Sequence, residues 1–290
     1  MTAYLNGQFL PLAEARISPL DRGIFYSDGV YEVIPVYSRR PFRVDEHLRR
    51  LQHSLDGIRL VSPLAASEWR VVIRRLADEA EWDDQVIYLQ ITRGADNKRD
   101  ACFPPGVTPT VFAFTAPLVG PSAEQRETGV AAITAPDIRW GRCDLKTLSL
   151  LPNVLARQAA ADAGCAEAIL LRNGFLSEGS STNVFIVRDG VILTPPKSQL
   201  ILPGITSDVV QELAAAHRAP IDVRPIEEAE LRTADEIWLT SSGKEVLGVV
   251  TLDGQPVGHG EQAGKPGPVT RQMHAWFCAF RDEFMRHGHD

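Results

Sequence analysis

The chain has 290 residues, enough for one large domain or two smaller ones, each with its own core. Hydrophobic residues make up 44% and charged residues 23%, the balance of a globular enzyme. The formal net charge is −7, and basic residues cluster only in short pairs such as Arg39-Arg40, Arg49-Arg50 and Arg74-Arg75, which argues against nucleic acid as a partner. No apolar run reaches the ~18 residues that a membrane span needs. The opening MTAYLNGQFLPLAEAR lacks the basic-then-apolar order of a secretory signal. Cys102, Cys143, Cys165 and Cys278 form no CxxC pair and no metal-like cluster with histidine. Unpaired thiols fit a reducing compartment, so a cytoplasmic protein is expected.

In chain order, Tyr4 to Pro11 reads as a hairpin turning on Asn6-Gly7. Gly29 to Tyr37 alternates apolar and polar residues, as a strand does. Asp45 is expected to cap a helix with Leu48, Leu51 and Leu55 on one face, and Ala66 to Glu79 reads as a second helix. Gln85 to Thr92 and Thr110 to Thr115 are further strands. The stretch APLVGPSAE, Ala116 to Glu124, has two prolines, a glycine and no periodicity, and reads as a linker. The domains are therefore set at 1–117 and 124–290, with 118–123 between them.

The second half opens with a strand at Val130 to Thr134. A helix follows Lys146, with Leu151, Val154, Leu155 and Ala159 at helical spacing. Strands come next at Glu167 to Leu171, Val184 to Val187 and Val191 to Thr194, with turns at Asn173-Gly174 and Asp189-Gly190. A helix begins at Thr206 with Val209, Val210 and Leu213 inward, Glu236 to Thr240 is a strand, and a last helix covers Val269 to Met285. His287 and His289 belong to the chain's tail and are not read as metal ligands. Strand-rich segments with interspersed helices, without a regular βαβ alternation, predict an α+β fold.

Four local features bear on chemistry. In Arg142-Cys143-Asp144-Leu145-Lys146-Thr147-Leu148 the lysine has apolar flanks, which favour the neutral amine that imine formation needs, although a surface lysine at a helix start reads the same way. In Leu176-Ser177-Glu178-Gly179-Ser180-Ser181-Thr182-Asn183 a lone acid precedes small hydroxyl residues; this is either a plain hairpin loop or a carboxylate beside room for a flat ring. Leu202-Pro203-Gly204-Ile205-Thr206 puts backbone N–H groups at a helix start, where the dipole favours an anion; in isolation it is equally a helix cap without a ligand. Thr240-Ser241-Ser242-Gly243 makes a second anion cradle at a strand end. Neither glycine loop matches a P-loop or dinucleotide fingerprint, so a smaller phosphate ligand fits better than a nucleotide.

In this order the features resemble fold-type IV pyridoxal-phosphate enzymes, closest to the D-amino-acid transaminases. The resemblance runs from Tyr4 to about Gly254 and is carried by Asp21-Arg22-Gly23, Asp28-Gly29-Val30-Tyr31-Glu32-Val33, the RCDLK run ending at Lys146, EGSSTNVF from Glu178, and LPGIT from Leu202. It implies two domains, a small α/β N-terminal one and a larger C-terminal pseudo-barrel carrying pyridoxal 5'-phosphate and a C-terminal helix. It implies transamination between a D-amino acid, such as D-alanine, and 2-oxoglutarate or pyruvate, in a homodimer with active sites at the subunit interface.

Carried over by position, Lys146 is the Schiff-base lysine and Glu178 the partner of the pyridine nitrogen. Arg50, Ile205, Thr206 and Ser242 take the phosphate, Leu202 packs on the ring, and Ser181 completes the cofactor's surroundings. Tyr31, Val33 and Ser241 face the substrate, and Arg99 holds its carboxylate. No metal is implied. One departure concerns that carboxylate: relatives carry Arg-x-His, whereas aligning on Phe103-Pro104 puts Ala101 at the histidine, and a loop one residue longer brings Lys98 into contention with Arg99. An (R)-selective amine transaminase is the nearest alternative, because an amine has no carboxylate to trap. Branched-chain aminotransferase fits the Glu178 loop less well, an aminodeoxychorismate lyase has no local support, and a non-catalytic dimeric binding protein is opposed by the joint presence of Lys146, Glu178 and Arg50.

Overall fold

The computed structural model describes residues 1–287, the last by its backbone alone; His289 and the side chain of His287 lie outside the described residues. Two compact units emerge: Met1–Val119 with Leu145–Ser149 and the chain from Phe284 on, and Gly120–Asp144 with Leu150–Glu283.

The first unit contains β1 (Thr2–Leu5), β2 (Gln8–Pro11), α1 (Arg22–Tyr26), β3 (Gly29–Tyr37), β4 (Arg40–Pro41), α2 (Val44–Gly57), α3 (Ala66–Glu79), β5 (Gln85–Thr92) and β6 (Thr110–Pro117). Among the described residues its strands form a six-stranded antiparallel sheet in the order β2-β1-β6-β5-β3-β4. The β1–β2 turn uses Asn6 and Gly7, both at positive φ, as the Asn-Gly pair requires. In β3 the alternation sorts the side chains: Val30, Glu32, Ile34 and Val36 are buried, while Tyr31 and Val33 alternate with them on the opposite face. Leu48, Leu51 and Leu55 of α2 join the first group in one core, with Ile73 and Leu76 of α3. Asp45 is not the cap of α2. That position is Arg43, in the left-handed region at φ 54, and Asp45 lies inside the first turn, where a carboxylate complements the helix dipole.

The second unit contains α4 (Ala123–Thr128), β7 (Val130–Pro136), α5 (Leu151–Asp162), β8 (Glu167–Arg172), β9 (Phe175–Gly179), β10 (Asn183–Arg188), β11 (Val191–Thr194), α6 (Ile205–Ala216), β12 (Ile221–Val223), α7 (Glu228–Arg232), β13 (Glu236–Ser241), β14 (Glu245–Leu252), β15 (Gln255–Pro256) and most of α8 (Pro268–His287). Its nine-stranded sheet, among the described residues, runs β12-β11-β10-β13-β14-β7-β8-β9, with β15 on β14. The end of the expected linker is helical, because Ser122 and Gln125 form a capping box that starts α4. Strands β9, β12, β14 and β15 add to those read from the sequence.

Chain connectivity dictates how this sheet bends. Five strand steps separate β10 from β9, about 24 Å in a flat sheet. Only residues 180–182 connect them, a reach of at most about 15 Å. The sheet therefore curls until its β9 edge comes round to β10, a half-barrel with the Ser180-Ser181-Thr182 loop at its closure. Helix α5 lies on this unit through Ala160, packed with Ala168 and Leu170, while Leu151, Val154 and Leu155 stay exposed. Among the described residues no helix is long and apolar enough to cross a membrane.

Candidate active site

Lys146 does not sit at a helix start. Four residues separate it from α5, and its stretch is extended along the edge of β3. Tyr31 donates its backbone N–H to the Lys146 carbonyl at 2.9 Å, and Leu148 donates to Gly29. The Lys146 N–H donates to the Ser54 hydroxyl of α2 at 3.0 Å. Two glycines make this approach possible: a Cβ on Gly29 would strike Ile91 O and Leu148, and one on Gly57 would strike Leu145. With its backbone pinned on both sides, the lysine directs its Nζ over the Tyr31 ring, 4.1 Å from the centroid. Tyr31 in turn stacks on Tyr88, whose hydroxyl burial pushes up to about 12.

Arg50, from α2, meets the other phase of β3 at Glu32. Its Nε and Nη2 donate to the two oxygens of Glu32, both at 2.8 Å, a bidentate fork in a buried setting. His47 Nδ1 is 2.8 Å from the same carboxylate, and its Nε2 is buried without a hydrogen-bond partner. Burial pushes Glu32 up, but Arg50 and His47 outweigh it and hold the group well below the usual carboxylate range. Sequence reasoning missed Glu32 and His47. The available signal was a carboxylate on the buried phase of an alternating strand, which demands a buried partner.

In the second unit, Glu178 sits in strand β9, not in a loop. Arg139 Nη1 donates to its Oε1, Asn183 Nδ2 donates to Oε2 at 3.1 Å, and the Leu202 N–H approaches at 3.2 Å. Burial pushes this carboxyl up to about 7 in spite of Arg139, and Asp137, which claims Nε and Nη2 of the same guanidinium, adds a smaller push in the same direction. Arg139 and Asp137 were not anticipated; Pro136-Asp137-Ile138-Arg139 offers only an unremarkable Asp-x-Arg. Asn183 also donates to the Leu202 carbonyl, so the Glu178 strand and the LPGIT segment are fastened together.

That segment leads into α6, whose N-cap is Gly204 with no side-chain cap. The first-turn N–H groups, which no helix carbonyl can reach, thus call for an acceptor from outside the helix, beside the buried Thr206. A Cβ at Gly204 would strike the Asn183 amide. A cavity of about 360 Å³ opens against the same segment, lined in part by Ser177, Asn183, Leu202, Gly204 and Ser207. Ser241 ends β13, and Ser242 lies in the turn to β14, where Lys244 N–H donates to the Ser241 hydroxyl at 3.1 Å. Ser181 is exposed at the barrel closure, and its hydroxyl donates to Glu167.

The profile of the Amino-transferase class IV family matches residues 29–252. The D-alanine aminotransferases of Bacillus licheniformis and of Staphylococcus aureus are each 39% identical to the chain, covering 94% of it and 94% and 95% of their own lengths. Among solved structures, the branched-chain amino acid aminotransferase of Escherichia coli superposes with a TM-score of 0.88 at 27% identity, covering 96% of this chain and 93% of its own. The branched-chain amino acid aminotransferase of T.th., solved with pyridoxamine 5'-phosphate, gives 0.87 at 28%, covering 96% and 92%. The chain belongs to the class IV aminotransferase family. Its two-unit α+β architecture with a curled sheet is that of the fold-type IV enzymes, as the sequence motifs implied.

In this aminotransferase the segment expected to trap a carboxylate is exposed. Lys98, Arg99 and Ala101 all face solvent, and among the described residues neither cation forms an ion pair. Arg99 lies 5.9 Å from the Tyr26 ring centroid. The loop is held by its backbone: Arg22 donates to the carbonyls of Asp100 and Ala101 while paired with Asp28, and Arg93 shares that aspartate.

One sequence reading needs correction. Cys278 does lie beside a histidine, one helical turn from His274 at 3.5 Å, and Glu245 completes a group of three possible ligands. Two guanidinium groups already occupy that position: Arg126 bonds His274 Nε2 and Glu245, and Arg281 bonds Glu245. A metal cation would have to displace a cation, so the cluster reads as an ion-pair network.

Proposed function

We propose that this enzyme moves an amino group between a D-amino acid and a 2-oxo acid with pyridoxal 5'-phosphate. The reaction is D-alanine plus 2-oxoglutarate giving pyruvate plus D-glutamate, or its counterparts with other side chains. The observation that carries the reading is the likeness to D-alanine aminotransferases over 94% of the chain, with Lys146, Glu178, Arg50 and Thr206 all present.

The donor set fits the cofactor part by part. Lys146 offers an amine whose backbone is fixed. Glu178 is buried and poised near neutrality at about 7, so a protonated pyridine nitrogen supplies the cation it lacks. The uncapped start of α6, with Ile205 and Thr206, suits a phosphate, as do Ser242 and the positive charge of Arg50, whose Nε and Nη2 Glu32 holds in place. When bound, the cofactor supplies an aldehyde to take up the amino group and a ring to withdraw electrons from the substrate Cα. Lys146 then holds and moves the Cα proton on one face, which selects one enantiomer. Glu178 keeps the proton on the ring nitrogen, Leu202 packs against the ring, and Ser181 lines it. Tyr31, Val33 and Ser241 line the substrate.

We assign the working form as a cytoplasmic homodimer whose active sites lie at the subunit interface, with Lys98 or Arg99 taking the substrate carboxylate across it. The exposed apolar residues Leu151, Val154 and Leu155 on one helix support a covered surface. A screen of D- and L-amino acids against 2-oxoglutarate and pyruvate tests the reaction. Turnover of D-alanine, with L-isomers inert, is expected; preference for L-branched-chain substrates or for (R)-1-phenylethylamine overturns it. Arg99→Ala and Lys98→Ala assign the trap, one of them raising KM for D-alanine about tenfold.

A further inference from the structure

Glu167, the first residue of β8, is fully buried and takes no part in the reaction assigned above. Its carboxylate is the hub of the half-barrel's closure. Ser180 donates to Oε1 through its N–H, at 3.1 Å, and through its hydroxyl; the Ser181 and Thr182 hydroxyls donate to Oε2 at 3.1 and 3.0 Å. The Ala168 N–H donates at 3.0 Å. The counter-charge comes from far along the chain: Lys244 Nζ, in the β13–β14 turn, is 3.0 Å from Oε2. The backbone N–H of that lysine donates to the Ser241 hydroxyl. One carboxylate therefore fastens the Ser180-Ser181-Thr182 loop to the Ser241-Ser242-Gly243 turn. A buried ion pair is seldom a net gain over an apolar packing, so its value lies in what it fixes in place. Burial pushes Glu167 up, yet Lys244 and the hydroxyls outweigh it and keep the group ionised.

We propose that the Glu167–Lys244 pair is a positioning device that anchors the Ser241-Ser242-Gly243 turn on the Ser180-Ser181-Thr182 loop and so holds Ser242 in place for the phosphate of the cofactor. This rests on the assignment of Ser242 to the cofactor's phosphate. Lys244 is about a quarter exposed, so it can be replaced without opening the core.

The test titrates apoenzyme with pyridoxal 5'-phosphate and, separately, with unphosphorylated pyridoxal, following intrinsic fluorescence. Lys244→Met is expected to weaken the phosphorylated compound about tenfold or more and to leave pyridoxal within about twofold. Lys244→Arg restores the phosphate preference, because a guanidinium also reaches the carboxylate. Glu167→Gln, which drops the charge and turns one of the two accepting oxygens into a donor, reproduces the loss. Equal weakening of both compounds, an unchanged phosphate preference in Lys244→Met, or no rescue by arginine overturns the proposal while the assigned reaction stands. A wild-type apoenzyme that binds neither compound overturns the assigned reaction instead.

Discussion

Two buried carboxylates, one in each unit, lie beside an arginine and end on opposite sides of the ordinary range. Burial pushes both up. Glu32 receives two bonds from Arg50 and one from His47, and it settles well below the usual carboxylate range. Glu178 receives a single guanidinium nitrogen and is left at about 7. The contrast comes from what each arginine has left to give. Arg139 commits Nε and Nη2 to Asp137, which is itself anionic and held at about 2, so Glu178 gets the remainder of the fork and a second negative charge nearby. An adjacent arginine does not by itself neutralise a carboxylate; the number of guanidinium bonds and the competing acids decide. Glu32 is fully compensated by its own neighbours and belongs to the scaffold. Glu178 is undercompensated, which suits a group whose partner is a protonated ring.

The sharpest way to break this comparison is to remove Glu32. Glu32→Ala takes the carboxylate away from the buried Arg50 guanidinium and removes the partner of His47 Nδ1, which costs about 3–5 kcal/mol. Chemical denaturation should show that loss directly, and an unchanged midpoint would mean that the fork contributes nothing. Next is the pH dependence of Glu178. Its native value of about 7 lies above the unperturbed 4.5, so its contribution to the apo fold is complete below pH 4.5 and is lost as pH rises through 7. The gap corresponds to about 3 kcal/mol. Apo Glu178→Gln should therefore lose less stability than wild type between pH 5 and pH 8.

Much of the framework was legible, and the limits have physical causes. The β1–β2 hairpin was readable from its Asn6-Gly7 turn, and β3 and α3 because burial there follows a simple period of apolar residues. The same rule misleads at α5, where Leu151, Val154 and Leu155 have helical spacing but stay exposed. Strand β9 was hidden because its buried residues include Ser177 and Glu178, polar groups satisfied by partners tens of residues away, Asp137 and Arg139. The left-handed Arg43 start of α2 gave no signal, since Asp45 is itself an apt cap residue. Among the candidate site residues, Lys146, Glu178 and the α6 start were picked out by motif. Glu32, Asp137, Arg139 and Glu167 were not, because each acts through a partner that only the fold supplies.

A direct test of the undercompensated carboxylate is Glu178→Gln in the holoenzyme. If the ring nitrogen depends on this anion, kcat for D-alanine falls about 10²-fold while KM changes little. Glu178→Asp, which keeps the charge and shortens the reach, should lie between the two. A glutamine variant with wild-type kcat would assign Glu178 to the scaffold along with Glu32.

The smallest effect concerns the segment that positions Glu178. The Asn183 side chain donates to Glu178 and to the Leu202 carbonyl, and it lies where a Cβ on Gly204 would be. Gly204 has φ −74 and ψ 127, which any residue adopts, so Gly204→Ala adds no backbone strain. The cost is steric and falls on the Asn183 amide. Overpacking of this kind typically costs about 1–3 kcal/mol, and the low end applies because one amide can yield. As the amide moves, Glu178 loses a donor and rises further, and the N-terminus of α6 shifts against whatever anion it holds. Gly204→Ala should therefore weaken the cofactor several-fold in a dialysis titration, with a modest drop in melting temperature. Adding Asn183→Ala, which clears the space but removes the donor, should restore the melting temperature without restoring affinity. Recovery of both would reduce Asn183 to a spacer and leave Arg139 and Leu202 to hold Glu178.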